Sequence, residues 1–244
     1  MAMPSPNRIR RFPRREVRGS GLTLPPFCAT METNRKGWYS MKILLLGGFL
    51  GSGKTSVLMP LARYLTKTTA GGGARVAIIE NEIGDVSIDG LTLKNAGLSV
   101  RELFSGCICC TLGVDLISGL MELEQTTQPE LVVIEATGVA HPEAITKNIA
   151  RYFPACTLLR SVVLVDAARF GLLSKAAPGI FLQQILEADV LLLNKIDLIS
   201  PEQCREIEAE LRRRNPGARL LALSAKNGVE EAVLQILTGG GNYA

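Results

Sequence analysis

The chain has 244 residues, of which 47% are hydrophobic and 20% charged, with six cysteines and a formal net charge of +4. It is long enough to bury a sizeable core, and no apolar run approaches the roughly 20 residues of a membrane-spanning helix. Three cysteines are clustered and the others scattered, unlike a disulfide framework. The sequence therefore predicts a soluble protein of a reducing compartment, the cytoplasm, and excludes membrane-spanning and disulfide-rich classes.

Residues 1–40 carry the excess positive charge. Eight Lys and Arg against two Glu give this segment +6, so residues 41–244 carry −2. Its five prolines and lack of apolar periodicity predict a disordered segment that adds nothing to the fold. Attachment to nucleic acid or a membrane, and organelle targeting, are alternatives. We prefer an over-extended reading frame, because Met41 directly precedes the first predicted strand.

The strand predicted over residues 42–47 leads into a loop that matches G-x-x-x-x-G-K-T, and a helix is predicted over 54–68. In such a loop the backbone N–H groups turn inward on a phosphate chain, the lysine reaches the β- and γ-phosphates, and the threonine binds Mg²⁺. Lys54 and Thr55 are therefore also predicted to be catalytic. The predicted nucleotide-binding residues here are Gly48, Gly51, Ser52, Gly53, Lys54, Thr55 and Ser56.

Two acidic residues follow the second predicted strand, which covers residues 75–80. Glu82 and Asp85 lie where a nucleotide hydrolase places its first switch loop, whose contacts change when the γ-phosphate leaves. We predict that one of the two senses Mg²⁺ and that the other reaches the cysteine cluster described next. A third strand is predicted over 98–103.

Three cysteines, Cys107, Cys109 and Cys110, form a C-x-C-C motif before a helix predicted over 113–126. Thiolates bind Zn²⁺ or Cu(I), and three of them leave a fourth position for a side chain, a water or a client protein. The alternative is three buried cysteines or a disulfide, but the adjacent Cys109 and Cys110 cannot bridge each other without strain. The motif therefore predicts a site for zinc or a similar transition metal.

Strand ends supply two further carboxylates. The strand predicted over 131–135 ends in Glu135, which we predict to be a catalytic residue that holds the Mg²⁺ shell; the alternative is an exposed strand-end acid. The strand predicted over 160–166 ends in Asp166, either a support for the base-binding loop or a turn residue. His141, the only histidine, is interpreted as an ordinary helix-start residue, with metal binding as the alternative.

The strand predicted over 189–193 precedes Asn-Lys-Ile-Asp, an N-K-x-D motif. A carboxylate there accepts hydrogen bonds from the N1–H and 2-amino group of guanine, whereas adenine offers no such donor pair. A Ser-Ala-Lys loop after the strand predicted over 219–223 is expected against the same base, and the lysine of N-K-x-D is expected to lay its stem over it. We therefore predict GTP rather than ATP. The base-binding residues are Asn194, Lys195, Asp197, Ser224, Ala225 and Lys226.

Apolar runs alternate with helical patterns from Met41 onward. This alternation predicts an α/β fold of the P-loop NTPase kind, with a mostly parallel sheet and helices on both faces. Ser200, Pro201 and Gln203 predict a capped helix start. We take 41–238 as one P-loop GTPase domain and 239–244 as a frayed tail. The remaining predicted helices cover 142–151, 180–187, 201–214 and 229–237.

Five motifs in this order resemble those of CobW-type metallochaperone GTPases, in the wider class of P-loop GTPases that includes UreG and HypB. They cover residues 47–55, 81–90, 106–112, 135–138 and 188–198. The resemblance implies GTP hydrolysis coupled to delivery of a metal, commonly zinc, to a metal-requiring client protein.

The chain departs from the family pattern in several places. Ile83 stands where the family has Phe, Ala136 and Thr137 replace Thr-Ser, and His141 replaces Asp. The C-terminal domain usual in the family has no counterpart after the Ser-Ala-Lys loop. We therefore expect client binding to use the GTPase surface or a separate partner.

Three functions fit these observations: a GTP-hydrolysing metallochaperone, a metal sensor or store whose affinity the nucleotide sets, and a P-loop kinase for a small molecule. The kinase is disfavoured, because N-K-x-D indicates guanine and C-x-C-C has no role in phosphoryl transfer to a metabolite. A homodimer is an alternative to the monomer. No nucleic-acid or membrane partner is expected.

Overall fold

The computed structural model describes residues 41–68, 76–80, 99–102, 108–136, 138 and 142–238. Within residues 108–115 it describes the backbone alone, and this includes Cys109 and Cys110. Several predictions fall outside the described residues: those for 1–40, Glu82, Asp85, Cys107, His141 and the tail 239–244.

One parallel sheet forms the centre of the fold. Among the described residues its strands are β1 (Met41–Gly48), β2 (Val76–Glu80), β3 (Ser99–Glu102), β4 (Leu131–Glu135), β5 (Cys156–Asp166), β6 (Val190–Asn194) and β7 (Arg219–Leu223). They lie in the order β3-β2-β4-β1-β5-β6-β7, and every neighbouring pair is parallel. The order changes direction around β1, so the loop after β1 opens at the point where parallel sheets bind ligands.

Helices cover both faces of the sheet. They are α1 (Lys54–Thr68), α2 (Ile108–Thr126), α3 (Pro142–Tyr152), α4 (Phe170–Ala176), α5 (Pro178–Leu186), α6 (Pro201–Arg214) and α7 (Glu231–Leu237). Leu44 and Leu46 of β1 pack with α1 and α7, whereas Ile43 and Leu45 pack with α2 and α3. The predicted α/β class is confirmed, and the sheet is fully parallel over the described strands. No helix in this part of the chain has the length and apolar character needed to cross a membrane.

The predicted start of the helix after Ser200 is confirmed. Ser200 Oγ accepts a hydrogen bond from the Gln203 N–H at 3.2 Å, and Gln203 Oε1 accepts one from the Ser200 N–H at 2.9 Å. Pro201 occupies the first turn, where a backbone N–H has no acceptor within the helix, so the missing N–H of proline costs no helical hydrogen bond. This capping box fixes where α6 leaves the loop that follows β6.

The structure differs from the sequence prediction by four or five residues at two boundaries, and it contains one helix that was not predicted. Helix α2 begins at Ile108 instead of 113, so Cys109 and Cys110 belong to its first turn. The β-branched Ile108 and Thr111 have low helix propensity, so local preference does not indicate a helix start here. Strand β5 begins four residues early because it pairs with β1 from Met41 onward. Helix α4 was not predicted, because seven residues with a glycine give little periodic signal.

Candidate functional site

The loop between β1 and α1 has a backbone that only glycine tolerates. Gly48, Gly51 and Gly53 have φ of +128°, +72° and +100°, all in the left-handed region. A Cβ on Gly48 would lie 2.5 Å from the Leu164 carbonyl oxygen, and one on Gly53 would lie 2.3 Å from Asn194 Nδ2. Conformation and space therefore both require glycine at 48 and 53, and the positive φ favours glycine at 51.

Lys54 and Glu135 come together at the mouth of this loop. Lys54 is buried, its Nζ donates to the Gly48 carbonyl at 3.2 Å, and Nζ lies 4.0 Å from Glu135 Oε1. The pairing of β1 with β4, which sets Leu46 opposite Glu135, brings the two side chains to one sheet edge. Thr55 follows in the first turn of α1, where N–H groups have no acceptor within the helix. This cradle of N–H groups, cation and hydroxyl fits a nucleoside triphosphate with Mg²⁺.

Asn194 joins the phosphate loop to the Ser-Ala-Lys loop. Its side chain is only 2% exposed; Nδ2 donates to the Ser52 carbonyl at 2.8 Å, and Oδ1 accepts from the Ala225 N–H at 2.9 Å. One amide group thus uses a donor and an acceptor to fix two loops that are distant in sequence. The phosphate loop and the two predicted base loops are therefore joined at this residue.

Asp197 stands in the loop after β6 with its side chain exposed. The Ser224 hydroxyl donates to Asp197 Oδ1 at 2.5 Å and holds the carboxylate against the Ser-Ala-Lys loop. Ala225 is buried beneath this pair and Lys226 is exposed beside it. Ser56, in the first turn of α1, is exposed as well. Residues that lie far apart in the sequence, from both predicted base motifs, are therefore in direct contact.

Lys195 and Asp166 form an ion pair beside the phosphate loop. Lys195 Nζ lies 2.7 Å from Asp166 Oδ2 and also donates to the Gly51 carbonyl at 2.6 Å. The Lys195 backbone has φ of +66°, in the left-handed region. Asp166 thus holds Lys195 of the N-K-x-D loop, which fits its interpretation as a support for that loop.

Sequence reasoning missed Arg169, the second partner of Asp166. Arg169 Nε donates to Asp166 Oδ2 at 2.8 Å, and the Arg169 N–H donates to Oδ1 at 3.2 Å. Burial opposes ionisation of Asp166, but hydrogen bonds and positive charge from Lys195 and Arg169 outweigh it, so the pKa of this carboxyl lies below its usual value. The only sequence signal for this contact is the spacing of the two residues, since Arg169 follows Asp166 by three residues at the end of an apolar strand.

Gly138 brings the loop after β4 against the phosphate loop. A Cβ on Gly138 would lie 2.6 Å from the Leu50 backbone nitrogen, so only glycine fits this approach. The Gln184 side chain, buried on α5, donates to the Gly138 carbonyl at 3.1 Å. Sequence reasoning missed Gln184. The signal that could have revealed it is its position as a polar residue on an apolar helix face. The last glycine of the segment 135–138 therefore has a packing role.

The predicted transition-metal site lies mostly outside the described residues. Among the residues that the structure does describe, no group of three or more His, Cys, Asp and Glu side chains could hold a metal ion. Cys107, Glu82 and Asp85 fall outside them, and Cys109 and Cys110 are described by their backbone alone. The thiolate site therefore stays a prediction.

Comparison with known proteins decides the family. Residues 42–222 match the model of the CobW/HypB/UreG nucleotide-binding domain. The chain belongs to this family. The zinc chaperone YeiR of Escherichia coli strain K12 is 31% identical over 194 residues, which cover 79% of this chain and 57% of that protein. The zinc chaperone YjiA of the same strain is 33% identical over 183 residues, 71% of this chain and 55% of that protein.

Solved structures agree with this CobW/HypB/UreG assignment. The Zn(II)-bound YjiA GTPase from E. coli superposes with a TM-score of 0.57 at 28% identity, covering 82% of this chain and 62% of that one. Hydrogenase maturation factor HypB from Archaeoglobus fulgidus gives 0.59 at 16% identity, over 82% and 89%, which supports the fold alone. The P-loop NTPase fold is confirmed. The chain spans between 44% and 66% of the length of the curated relatives it matches.

Proposed function

We propose that this CobW/HypB/UreG domain is a GTP-hydrolysing metallochaperone of the cytoplasm. It binds zinc, or a similar transition metal, through Cys107, Cys109 and Cys110 and delivers it to a metal-requiring client protein. The observation that carries the nucleotide half is the buried Asn194 amide, which unites the phosphate loop with the loop of Ser224 and Ala225. The metal half is supported by the C-x-C-C motif and by relatives described as zinc chaperones.

The phosphate chain of GTP is bound by the loop from Gly48 to Lys54 and by the first turn of α1. Lys54 Nζ, already held between the Gly48 carbonyl and Glu135, turns to the β- and γ-phosphates. Thr55 and Glu135 would hold Mg²⁺, which would neutralise charge on the β- and γ-phosphate oxygens. Water attacks the γ-phosphorus and releases a proton to solvent, the bond from the γ-phosphorus to the bridging oxygen breaks, and GDP leaves with the electron pair as inorganic phosphate forms. The chain contributes positioning and charge and forms no covalent bond.

Guanine is selected by the Asp197 carboxylate. The Ser224 hydroxyl bond orients this group, so that it accepts from the N1–H and 2-amino group of the base. The Lys195 stem lies over the ring while its Nζ stays on Asp166 and Gly51. Adenine lacks this donor pair and leaves the carboxylate unsatisfied.

Metal binding is coupled to hydrolysis through Glu82 and Asp85. These acids follow β2, whose end lies beside Glu135 of β4 in the sheet register. Loss of the γ-phosphate changes the contacts of such a loop and with them the metal affinity.

The alternative function is a nucleotide-modulated zinc sensor or store, which binds both ligands without client-coupled turnover. A homodimer and the absence of nucleic-acid partners stay predictions.

Asp197→Asn should weaken GTP binding by about 1.5–3 kcal/mol, because hydrogen bonds to a charged group have about that strength. The same variant should gain affinity for xanthosine triphosphate, whose 2-oxo group accepts from the amide. Titration with both nucleotides measures the exchange. Asp189→Asn is the matched control, because Asp189 precedes β6 at the other end and accepts from the Ser161 N–H. Unchanged GTP affinity in Asp197→Asn would remove this residue from the base site.

Each of Cys107→Ser, Cys109→Ser and Cys110→Ser should lose most of the zinc affinity, because a hydroxyl is a poor substitute for a thiolate. Nucleotide binding should survive these changes. Wild-type zinc affinity should differ between a non-hydrolysable GTP analogue and GDP by roughly 1–3 kcal/mol, the usual coupling between sites. Competition against a chelator in each nucleotide state measures both effects. Cys204→Ser, a half-buried thiol of α6, is the control.

GTP turnover separates the two candidate functions. A chaperone should hydrolyse GTP faster when zinc or the client is present, whereas a store should bind zinc without stimulated hydrolysis. Equal zinc affinity in both nucleotide states would leave the C-x-C-C motif a passive metal site and exclude the chaperone mechanism, even if GTP hydrolysis were confirmed.

A further inference from the structure

Arg169 contacts the phosphate loop although it lies outside every nucleotide-binding motif. Its Nη2 donates to the Leu50 carbonyl at 2.7 Å, across 119 residues of sequence, while its Nε holds Asp166 Oδ2 at 2.8 Å. The guanidinium thus spans a carboxylate and a loop carbonyl with two different N–H groups. A lysine at this position would have one nitrogen in place of two that the guanidinium carbon separates, and it would have to reach both oxygens from a single point.

Asp166 is rigid enough to orient this arginine. The carboxylate is 1% exposed and is held by Lys195 as well as by the Arg169 side chain and backbone. Lys195 in turn donates to the Gly51 carbonyl. Two cations anchored on one buried carboxylate therefore hold the carbonyls of two successive loop residues, Leu50 and Gly51.

Holding a carbonyl also fixes the N–H of the next residue. In a trans peptide the C=O and the following N–H point in opposite directions within one rigid plane. With the Leu50 carbonyl fixed on Arg169, the Gly51 N–H points to the side away from the guanidinium. Without this contact the plane of the Leu50–Gly51 peptide could rotate easily, because Gly51, which has φ of +72°, carries no side chain to restrict it.

Gly51 and Arg169 also fit each other sterically. A Cβ on Gly51 would lie 3.1 Å from Arg169 Nη2, so the guanidinium would have to shift by a few tenths of an ångström to accommodate it. The absence of a side chain at this position thus serves the arginine contact as well as the backbone turn.

We propose that Arg169, oriented by Asp166, is a positioning residue of the phosphate loop that turns the Gly51 N–H toward the phosphate chain of the bound nucleotide. The inference rests on the proposed guanine-nucleotide function. In this positioning role, Arg169 contributes to the affinity for the β- and γ-phosphates and not to the affinity for the base or the ribose.

The test compares wild type, Arg169→Ala and Arg169→Lys in titrations with GTP, GDP and GMP. Arg169→Ala should lower GTP and GDP affinity roughly tenfold, because a hydrogen bond to a charged phosphate has at least that strength. GMP affinity, measured by competition at millimolar concentration, should change less than twofold. Arg169→Lys keeps the ion pair with Asp166 and the melting temperature, yet should lose GTP and GDP affinity like the alanine variant.

Arg205→Ala is the matched control. Arg205 pairs with Glu202 three residues earlier at 2.8 Å, the same spacing as Arg169 and Asp166, but on the exposed face of α6. It should change none of the three affinities. Equal losses for GMP and GDP, or unchanged GDP affinity in Arg169→Lys, would overturn the proposal. If wild type binds none of these nucleotides, the proposed function itself fails, and the positioning role with it.

Discussion

Gly53→Ala should reduce GTP affinity at least a hundredfold. The left-handed backbone at Gly53 costs a residue with a side chain about 1–3 kcal/mol, and the new Cβ would meet Asn194 Nδ2 at 2.3 Å. Asn194 cannot withdraw without breaking its bonds to the Ser52 carbonyl and the Ala225 N–H. The phosphate loop must therefore deform. Titration calorimetry with GDP and GTP at a temperature where the variant is folded measures the loss.

Two other glycines provide matched controls for this substitution. A Cβ on Gly171 of α4 or Gly179 of α5 would meet no atom within 4 Å. Gly171→Ala and Gly179→Ala should keep full GTP affinity and leave the free energy of unfolding unchanged or raise it by up to about 1 kcal/mol. Near-normal GTP affinity in Gly53→Ala would show that the loop adopts another conformation when nucleotide is bound.

Asn194→Ala should lower the free energy of unfolding by about 2–5 kcal/mol and remove most GTP binding. It deletes a buried donor and acceptor together, and leaves the Ser52 carbonyl and the Ala225 N–H without their partner. Each such buried group costs about 1–3 kcal/mol. Urea unfolding gives the stability, and GDP titration of the folded variant gives the affinity.

Asn215→Ala separates stability from binding. Asn215 Nδ2 donates to the carbonyls of Ile185 and Ala188 at 2.8 and 2.9 Å, and Oδ1 accepts from the Ala218 N–H, so its half-buried hydrogen bonds resemble in number and kind those of Asn194. It lies between α6 and β7, outside the loops that form the site. This variant should lose comparable stability but keep GTP affinity. Equal loss of affinity in both variants would mean that Asn194 acts only through the stability of the fold.

The parts of the site that the sequence predicted are those built from adjacent residues. The phosphate loop and the N-K-x-D motif each combine an unusual backbone conformation with functional side chains within eight residues. Their chemistry can therefore be recognised from one short segment of sequence. The strands were found because parallel strands buried on both faces form continuous apolar runs. Helix α2 begins earlier than predicted, at Ile108, where the weak helix propensity of residues 108–112 gave no local signal of a helix start.

The contacts that the sequence could not predict are long-range hydrogen bonds of polar residues outside the motifs. Arg169 reaches Leu50 across 119 residues, and Gln184 reaches Gly138 across 46. The local signals of these two residues, an acid three residues before the arginine and an apolar helix face around the glutamine, do not indicate which partner each residue reaches. Their partners are backbone carbonyls, which every residue has, so only the strand order reveals which carbonyl lies within reach.

The strand order also dictates when the site can come into existence during synthesis. Strand β1 leaves the ribosome first among the described strands, but its two neighbours are β4 and β5, so it stays unpaired until residues 131–166 follow. Asn194 meets Ser52 across 142 residues, and its other partner is Ala225. Pairings this distant in sequence make folding slow and expose apolar strands meanwhile. The phosphate loop is translated early, yet it acquires its final shape only after almost all of the described chain has been made.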